Sequence, residues 1–129
     1  MKPFETQLVF EDSGIFLFAR GKGPAGTYFQ QSEYDAIQLK IYDEADPETV
    51  IATVNLTIAD VIFNTLQTSD VRWTKDSTGY NFRYGTLAAH LPTGGRRYRF
   101  EFKFTPTVAS GYQPFFGVFI VPTMGLYTS

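Results

Sequence analysis

There is no cysteine among the 129 residues, so a disulfide framework, a thiolate metal site and a cysteine nucleophile are all closed to this chain. A single histidine is too few for a multi-histidine metal centre. No stretch approaches the roughly 18 apolar residues that a spanning helix requires. The opening Met1-Lys2-Pro3-Phe4-Glu5-Thr6 lacks the apolar centre of a secretory leader. The expectation is a soluble product made in the cytoplasm, without a secretion signal and without a membrane partner. A net charge of −2 and a pI near 5.3 supply no large positive field, so nucleic acid is not an expected partner.

What is abundant points to β-structure. Aromatic residues make up 17% of the chain, with 13 Phe and 8 Tyr, and such side chains favour pleated, half-buried surfaces. Apolar residues at 43% against 19% charged exclude a disordered chain, and 129 residues suit one domain with one core.

The clearest periodicity lies at 97–104, where Arg97, Arg99, Glu101 and Lys103 alternate with Tyr98, Phe100, Phe102 and Phe104. A period of two predicts a strand with one wet face and one core face. Ile37, Leu39 and Ile41 alternate likewise, before an acidic turn of Asp43, Glu44, Asp46 and Glu48 and a further strand over 49–56. Strands are also expected at 8–10 and 15–19 as an opening hairpin, at 70–74 and at 80–84. The stretch 115–121 is apolar at odd and even positions alike, so both its faces call for cover. Thr57 with Asp60 three residues later resembles a capping box. Ile58, Val61, Ile62 and Leu66 then follow at helical spacing, predicting one short helix near 58–66. Residues 21–34 read as a long Gly- and Pro-rich loop, and 125–129 as a loose tail. The sum is a single all-β domain over 1–129, an antiparallel Ig-like β-sandwich of about eight strands with one short helix.

Candidate chemistry is sparse. Gly21-Lys22-Gly23-Pro24-Ala25-Gly26 matches the spacing of a dinucleotide-binding turn. Pro24 removes a backbone donor, however, and no helix is predicted behind it to face a pyrophosphate. His90 has no assignable nucleophile or orienting group, so it carries no catalytic role. The acids at 43–48 lack the glycine and distal glutamate of an EF-hand loop and read as a solvated turn. Aromatics interleaved with Arg96, Arg97, Arg99 and Lys103 could suggest a nucleic-acid platform, but the alternation puts the rings in the core and the cations outside. Asn55-Leu56-Thr57 is a formal glycosylation sequon without a secretory signal. No enzyme, metal or cofactor is expected.

The residues that remain are candidates for contact. Phe116, Val118 and Ile120 form the second apolar face of their strand, to be covered by the 58–66 helix or by a neighbouring subunit. Arg97, Arg99 and Lys103 face water or a charged partner. Tyr28 and Phe29 lie in the long loop, where exposed rings anchor interfaces. Together with Tyr34, Trp73, Tyr80, Tyr112 and Tyr127, which also lie in or beside loops, these rings could stack on sugar or anchor a protein interface.

Between 37 and 122 the chain resembles small β-sandwich proteins of phage and prophage particles, including N-terminal domains of upper baseplate proteins. The likeness lies in Ile37-Gln38-Leu39-Lys40-Ile41-Tyr42-Asp43 before an acidic turn and in Gly79-Tyr80-Asn81-Phe82. It continues in Leu91-Pro92-Thr93-Gly94-Gly95 before Tyr98-Arg99-Phe100-Glu101-Phe102, and in Gly111 before a final apolar strand. The resemblance implies a non-enzymatic structural subunit of a virion, whose partners are other virion proteins or copies of itself. It brings no catalytic motif, so no functional residue is carried over. The Gly-rich loop at 21–26 and the helix at 58–66 depart from the baseplate pattern, which leaves tail, neck and head decoration open. A stand-alone ligand-binding module, carbohydrate-binding through loop aromatics, is the alternative.

Overall fold

The computed structural model describes residues 3–4, 9–10, 14–73 and 75–124. In chain order the elements are β1 (Pro3–Phe4), β2 (Val9–Phe10), β3 (Phe16–Ala19), β4 (Tyr34–Asp43), β5 (Asp46–Leu56), α1 (Ile58–Val61), β6 (Ile62–Gln67), β7 (Tyr80–Gly85), β8 (Arg97–Pro106) and β9 (Phe115–Met124). Single turns of 3-10 helix at Gln31–Glu33, Ala88–His90 and Val108–Ser110 sit in the connections.

The long strands form one sheet in the order β1-β9-β8-β4-β5, with β2 also lying along β9, and the second sheet is β3-β7-β6. The β5-β4-β8-β9 ladder is antiparallel throughout, whereas β1 and β2 run parallel to β9. This is an all-β sandwich. Its register follows the alternation in the sequence. Tyr98, Phe100, Phe102 and Phe104 are all buried, while Arg97 and Lys103 are exposed and Arg99 and Glu101 half-exposed.

Rings join the two sheets. Phe82 on β7 lies 4.9 Å from Phe102, 5.9 Å from Phe104 and 6.1 Å from Phe119, and Tyr84 lies 5.6 Å from Phe102. Each fully buried Phe contributes about 1.5–3 kcal/mol of apolar burial, and well-oriented ring pairs add about 0.5–1.5 kcal/mol. Ile37, Leu39 and Ile41 from β4 complete the floor.

Three expectations are corrected. The segments at 8–10 and 15–19 are not a hairpin: β2 joins β9 in the large sheet, and β3 pairs with β7 in the small one. Of their intended turn at 11–14, residues 11–13 lie outside the described residues, as do the tail at 125–129 and Tyr127. The helix near 58–66 is a single turn. Thr57 makes no side-chain cap, Ile62 is already extended at φ −102° and ψ 131°, and the chain continues as β6. Ile58, Val61 and Ile62 are β-branched and stiff in a helix, and Ile62 gains a buried place opposite Phe82 by entering the sheet. The short strand at 70–74 is a turn instead, in which the Asp70 carboxylate accepts the Arg72 backbone N–H at 2.9 Å. Residue 74 itself is not described.

The 21–34 loop is tied down more than its composition implies. The Gly21 N–H donates to Asn81 Oδ1 at 2.8 Å, and Asn81 Nδ2 donates back to the Gly21 carbonyl at 2.9 Å. A Cβ on Gly21 would run into the Phe29 ring, so glycine is needed for that approach. At the far end Gln31 donates to Asn64 Oδ1 and to the Ile62 carbonyl, each at 2.7 Å.

Candidate interaction surfaces

The outer face of the large sheet carries most of the contact residues expected from sequence. On β9, Phe119 and Val121 point into the core, which turns Phe116, Val118 and Ile120 outward. Phe116 is 43% exposed, and Val118 and Ile120 are half-exposed. Across the ladder Phe116 faces Lys103, Val118 faces Glu101 and Ile120 faces Arg99. An apolar row therefore runs beside a charged row.

Neighbouring groups hold much of that charge. The Arg99 guanidinium lies 2.7 Å from a Glu101 oxygen and rests over the Tyr42 ring at 5.2 Å. Arg97 approaches Glu44 at 3.6 Å, and Arg96 reaches Asp43 at 2.9 Å. Asp43 also accepts the Ala45 N–H, so Asp43 and Glu44 serve as turn and ion-pair partners. Among the described residues no group of three or more potential ligands forms a metal site.

The short helix does not cover the apolar row. α1 packs on β7, β6 and β4, on the other side of the molecule from the outer face of β9. The two loop rings part company. Tyr28 is 37% exposed with the Lys22 ammonium 5.3 Å from its ring, whereas Phe29 is only 2% exposed. Phe29 stacks on Phe104 at 5.2 Å and on Phe115 at 6.4 Å, so it is a core residue and not a contact residue. Tyr34 packs in the same cluster with its hydroxyl buried and without a hydrogen-bond partner among the described residues. Burial, and then the charge of Glu33, push its pKa up.

His90 is buried with its ring against Phe100, and its Nδ1 accepts the Leu87 N–H at 3.4 Å. Burial holds its pKa below the ordinary imidazole value.

A second surface was not foreseen. On the outer side of the small sheet, Phe18 and Tyr80 lie 4.8 Å apart, with Phe63 and Trp73 packed on Tyr80 at 5.7 Å. The Arg72 guanidinium sits 4.1 Å over the Phe16 ring, and Arg83 lies 5.1 Å over Phe63. Asp70 gathers them: it receives Arg72 Nε at 2.9 Å, Arg72 Nη2 at 2.7 Å and the Tyr80 hydroxyl at 2.8 Å. Those bonds, from Arg72 above all, hold the Asp70 carboxyl far below the usual carboxylate range. Arg83 could have been placed outward from its position between Phe82 and Tyr84. No local signal brings the 68–79 connection over Phe16 and Phe18.

Between this cluster and the end of β5 lies an open depression of about 340 Å³, lined among others by Phe16, Asn55, Thr57, Asp60 and Arg83. Among the described residues, the loop aromatics expected to stack on sugar do not line it. Tyr34 and Tyr80 are buried, Trp73 is half-buried on the cluster, and Tyr112 is exposed elsewhere.

Among the described residues no helix is long and apolar enough to cross a membrane. The chain matches no family model, no curated protein and no solved structure.

Proposed function

We propose that this chain is a non-enzymatic structural and assembly subunit of a phage particle, acting through protein–protein contacts on the outer face of its large sheet. One observation carries the reading: an apolar row of Phe116, Val118 and Ile120 on a well-paired strand, bordered by Lys103, Glu101 and Arg99 and left open by α1. Interface centres combine apolar and aromatic anchors with a charged rim. The likeness of the 37–122 strand grammar to virion sandwich proteins supplies the particle. Tail, baseplate, neck and head decoration are all compatible sites for such a subunit.

The test is copurification with particles. The wild-type chain should band with virions on a density gradient. Phe116→Asp should remain folded and soluble and should leave the particle fraction. Retention of Phe116→Asp at the wild-type level would overturn the assignment of this face.

The alternative, a carbohydrate-binding module, has one observation in its favour: the depression where Asn55, Thr57, Asp60 and Arg83 offer polar groups beside the Phe16 ring. Glycan titration monitored by NMR, compared with Phe16→Ala, tests it. Shifts confined to those residues in the wild type and absent in the variant would favour sugar.

A further inference from the structure

β5 ends the large sheet, and among the described residues nothing pairs with its far side. An edge strand directs the N–H and C=O of alternate residues outward, a template for another strand. Folds usually blunt such edges with charge, proline or a bulge. Here those devices gather at one end of the strand. Asp46, Pro47 and Glu48 lie next to the turn, and Ile51 is bulged, since Ile41 faces Ala52 while Tyr42 faces Val50. From 52 to 56 the register with 41 to 37 is regular, and the residues Ala52, Thr53, Val54, Asn55 and Leu56 include neither charge nor proline.

We infer that the 52–56 edge docks a second copy of this chain, the two β5 strands pairing antiparallel about a two-fold axis at Val54. The segment is self-complementary in that register. Ala52 faces Leu56 of the other copy, Thr53 faces Asn55, and Val54 faces its own equivalent. A two-fold axis perpendicular to the sheet keeps both cores on the same side. Ala52, Val54 and Leu56, half-buried against the core, then meet one another, and exposed Thr53 and Asn55 meet on the outer face. Charge selects the direction. Antiparallel pairing places Asp46 and Glu48 of the two copies at opposite ends, whereas parallel pairing would set them side by side. A second copy also brings the same uncharged edge, with the same unmet backbone valence. The inference rests on the assembly reading for the use of such a dimer, and it leaves the β9 face free for another partner.

Three forms of the full chain test this by sedimentation over a concentration series: wild type, Thr53→Lys with Asn55→Lys, and Thr53→Glu with Asn55→Glu. Both positions are exposed, so the fold tolerates either pair. The wild type should dimerise. Each double variant sets like charges opposite one another twice and should weaken the dimer roughly ten-fold or more. An equimolar mixture of the two should recover a heterodimer, which a loss of folding would not allow. A wild type that stays monomeric at every concentration, or a dimer indifferent to both variants, overturns the inference. So does a dimer abolished by Phe116→Asp alone, which would place the contact on the β9 face. Particle binding lost in Phe116→Asp with the dimer intact supports the edge; wild-type particle binding without any dimer removes the edge pairing and spares the assembly reading.

Discussion

Phe102 and Lys103 are sequence neighbours on β8 with opposite surroundings. Phe102 is fully buried against Phe82, Tyr84 and Phe119, while Lys103 is exposed between Gln38 and Phe116. Truncating a buried Phe costs about 3–5 kcal/mol, against a typical domain stability of roughly 5–15 kcal/mol, and a carboxylate there loses its hydration as well. Phe102→Asp should therefore leave the chain unfolded. Lys103→Asp should stay within about 0.5 kcal/mol of wild type, as surface changes usually do. Urea denaturation of both variants is the check, and a folded Phe102→Asp beside an unfolded Lys103→Asp would mean the strand faces the other way. Single residues of this kind were readable from sequence because a period of two assigns a side to every position. Phe29 was not. It has no periodic neighbours, and the rings that bury it, Phe104 and Phe115, come from β8 and β9 far along the chain.

Elements were legible where strict alternation or a short unbroken apolar run marked them. β4, β8 and β9 follow the expected strands closely, whereas 58–66 offered apolar residues at helical spacing and became one helical turn followed by β6. The decision there belongs to Phe82, which accepts Ile62 as its partner and is invisible to a local window. The 68–79 connection teaches the same lesson with charge. Its two carboxylates fold it on itself and tie it to the sheet: Asp70 binds Arg72 within the connection and Tyr80 on β7, and Asp76 binds Arg20 beside β3 at 2.8 Å, with the Thr78 N–H at 3.0 Å and the Trp73 indole at 3.3 Å inside the connection. Both carboxyls are held below the ordinary value, Asp70 mainly by Arg72 and Asp76 mainly by Arg20. With depressed folded values, the unfolded chain takes up protons first as pH falls. This stabilisation is complete above the ordinary carboxylate pKa of ~4 and is lost as pH drops through the depressed values. Acidification should thus loosen the connection, and emission from Trp73, the single tryptophan, should shift to the red before the far-UV strand signal changes. Asp70→Asn should bring that shift to higher pH. Coincident loss of both signals, unaltered in Asp70→Asn, would show that the two carboxylates do not govern the segment.

For the whole molecule, composition and turn spacing were enough to imply two stacked antiparallel sheets, but not which strands share a sheet. Pairing is long-range. The β4–β5 hairpin is local, but β3 meets β7 and β4 meets β8 through contacts that no window of neighbouring residues contains. The outward charges of the candidate face were legible for the same reason as the core, while whether α1 covers its apolar row depended on where α1 docks. That separation between folding and contact can be measured on β9 itself. Phe119 is 0% exposed and lies 5.8 Å from Phe102, whereas Phe116 is 43% exposed on the other side of the same strand. Phe119→Asp should abolish the cooperative thermal transition. Phe116→Asp should keep it within a few degrees, because a change of about 1 kcal/mol shifts the midpoint by roughly 2–8 °C in domains near this size, and an exposed ring contributes less than a buried one. If Phe116→Asp unfolds the isolated chain as Phe119→Asp does, then the outer row is part of what holds the sandwich together and cannot serve as a free contact face.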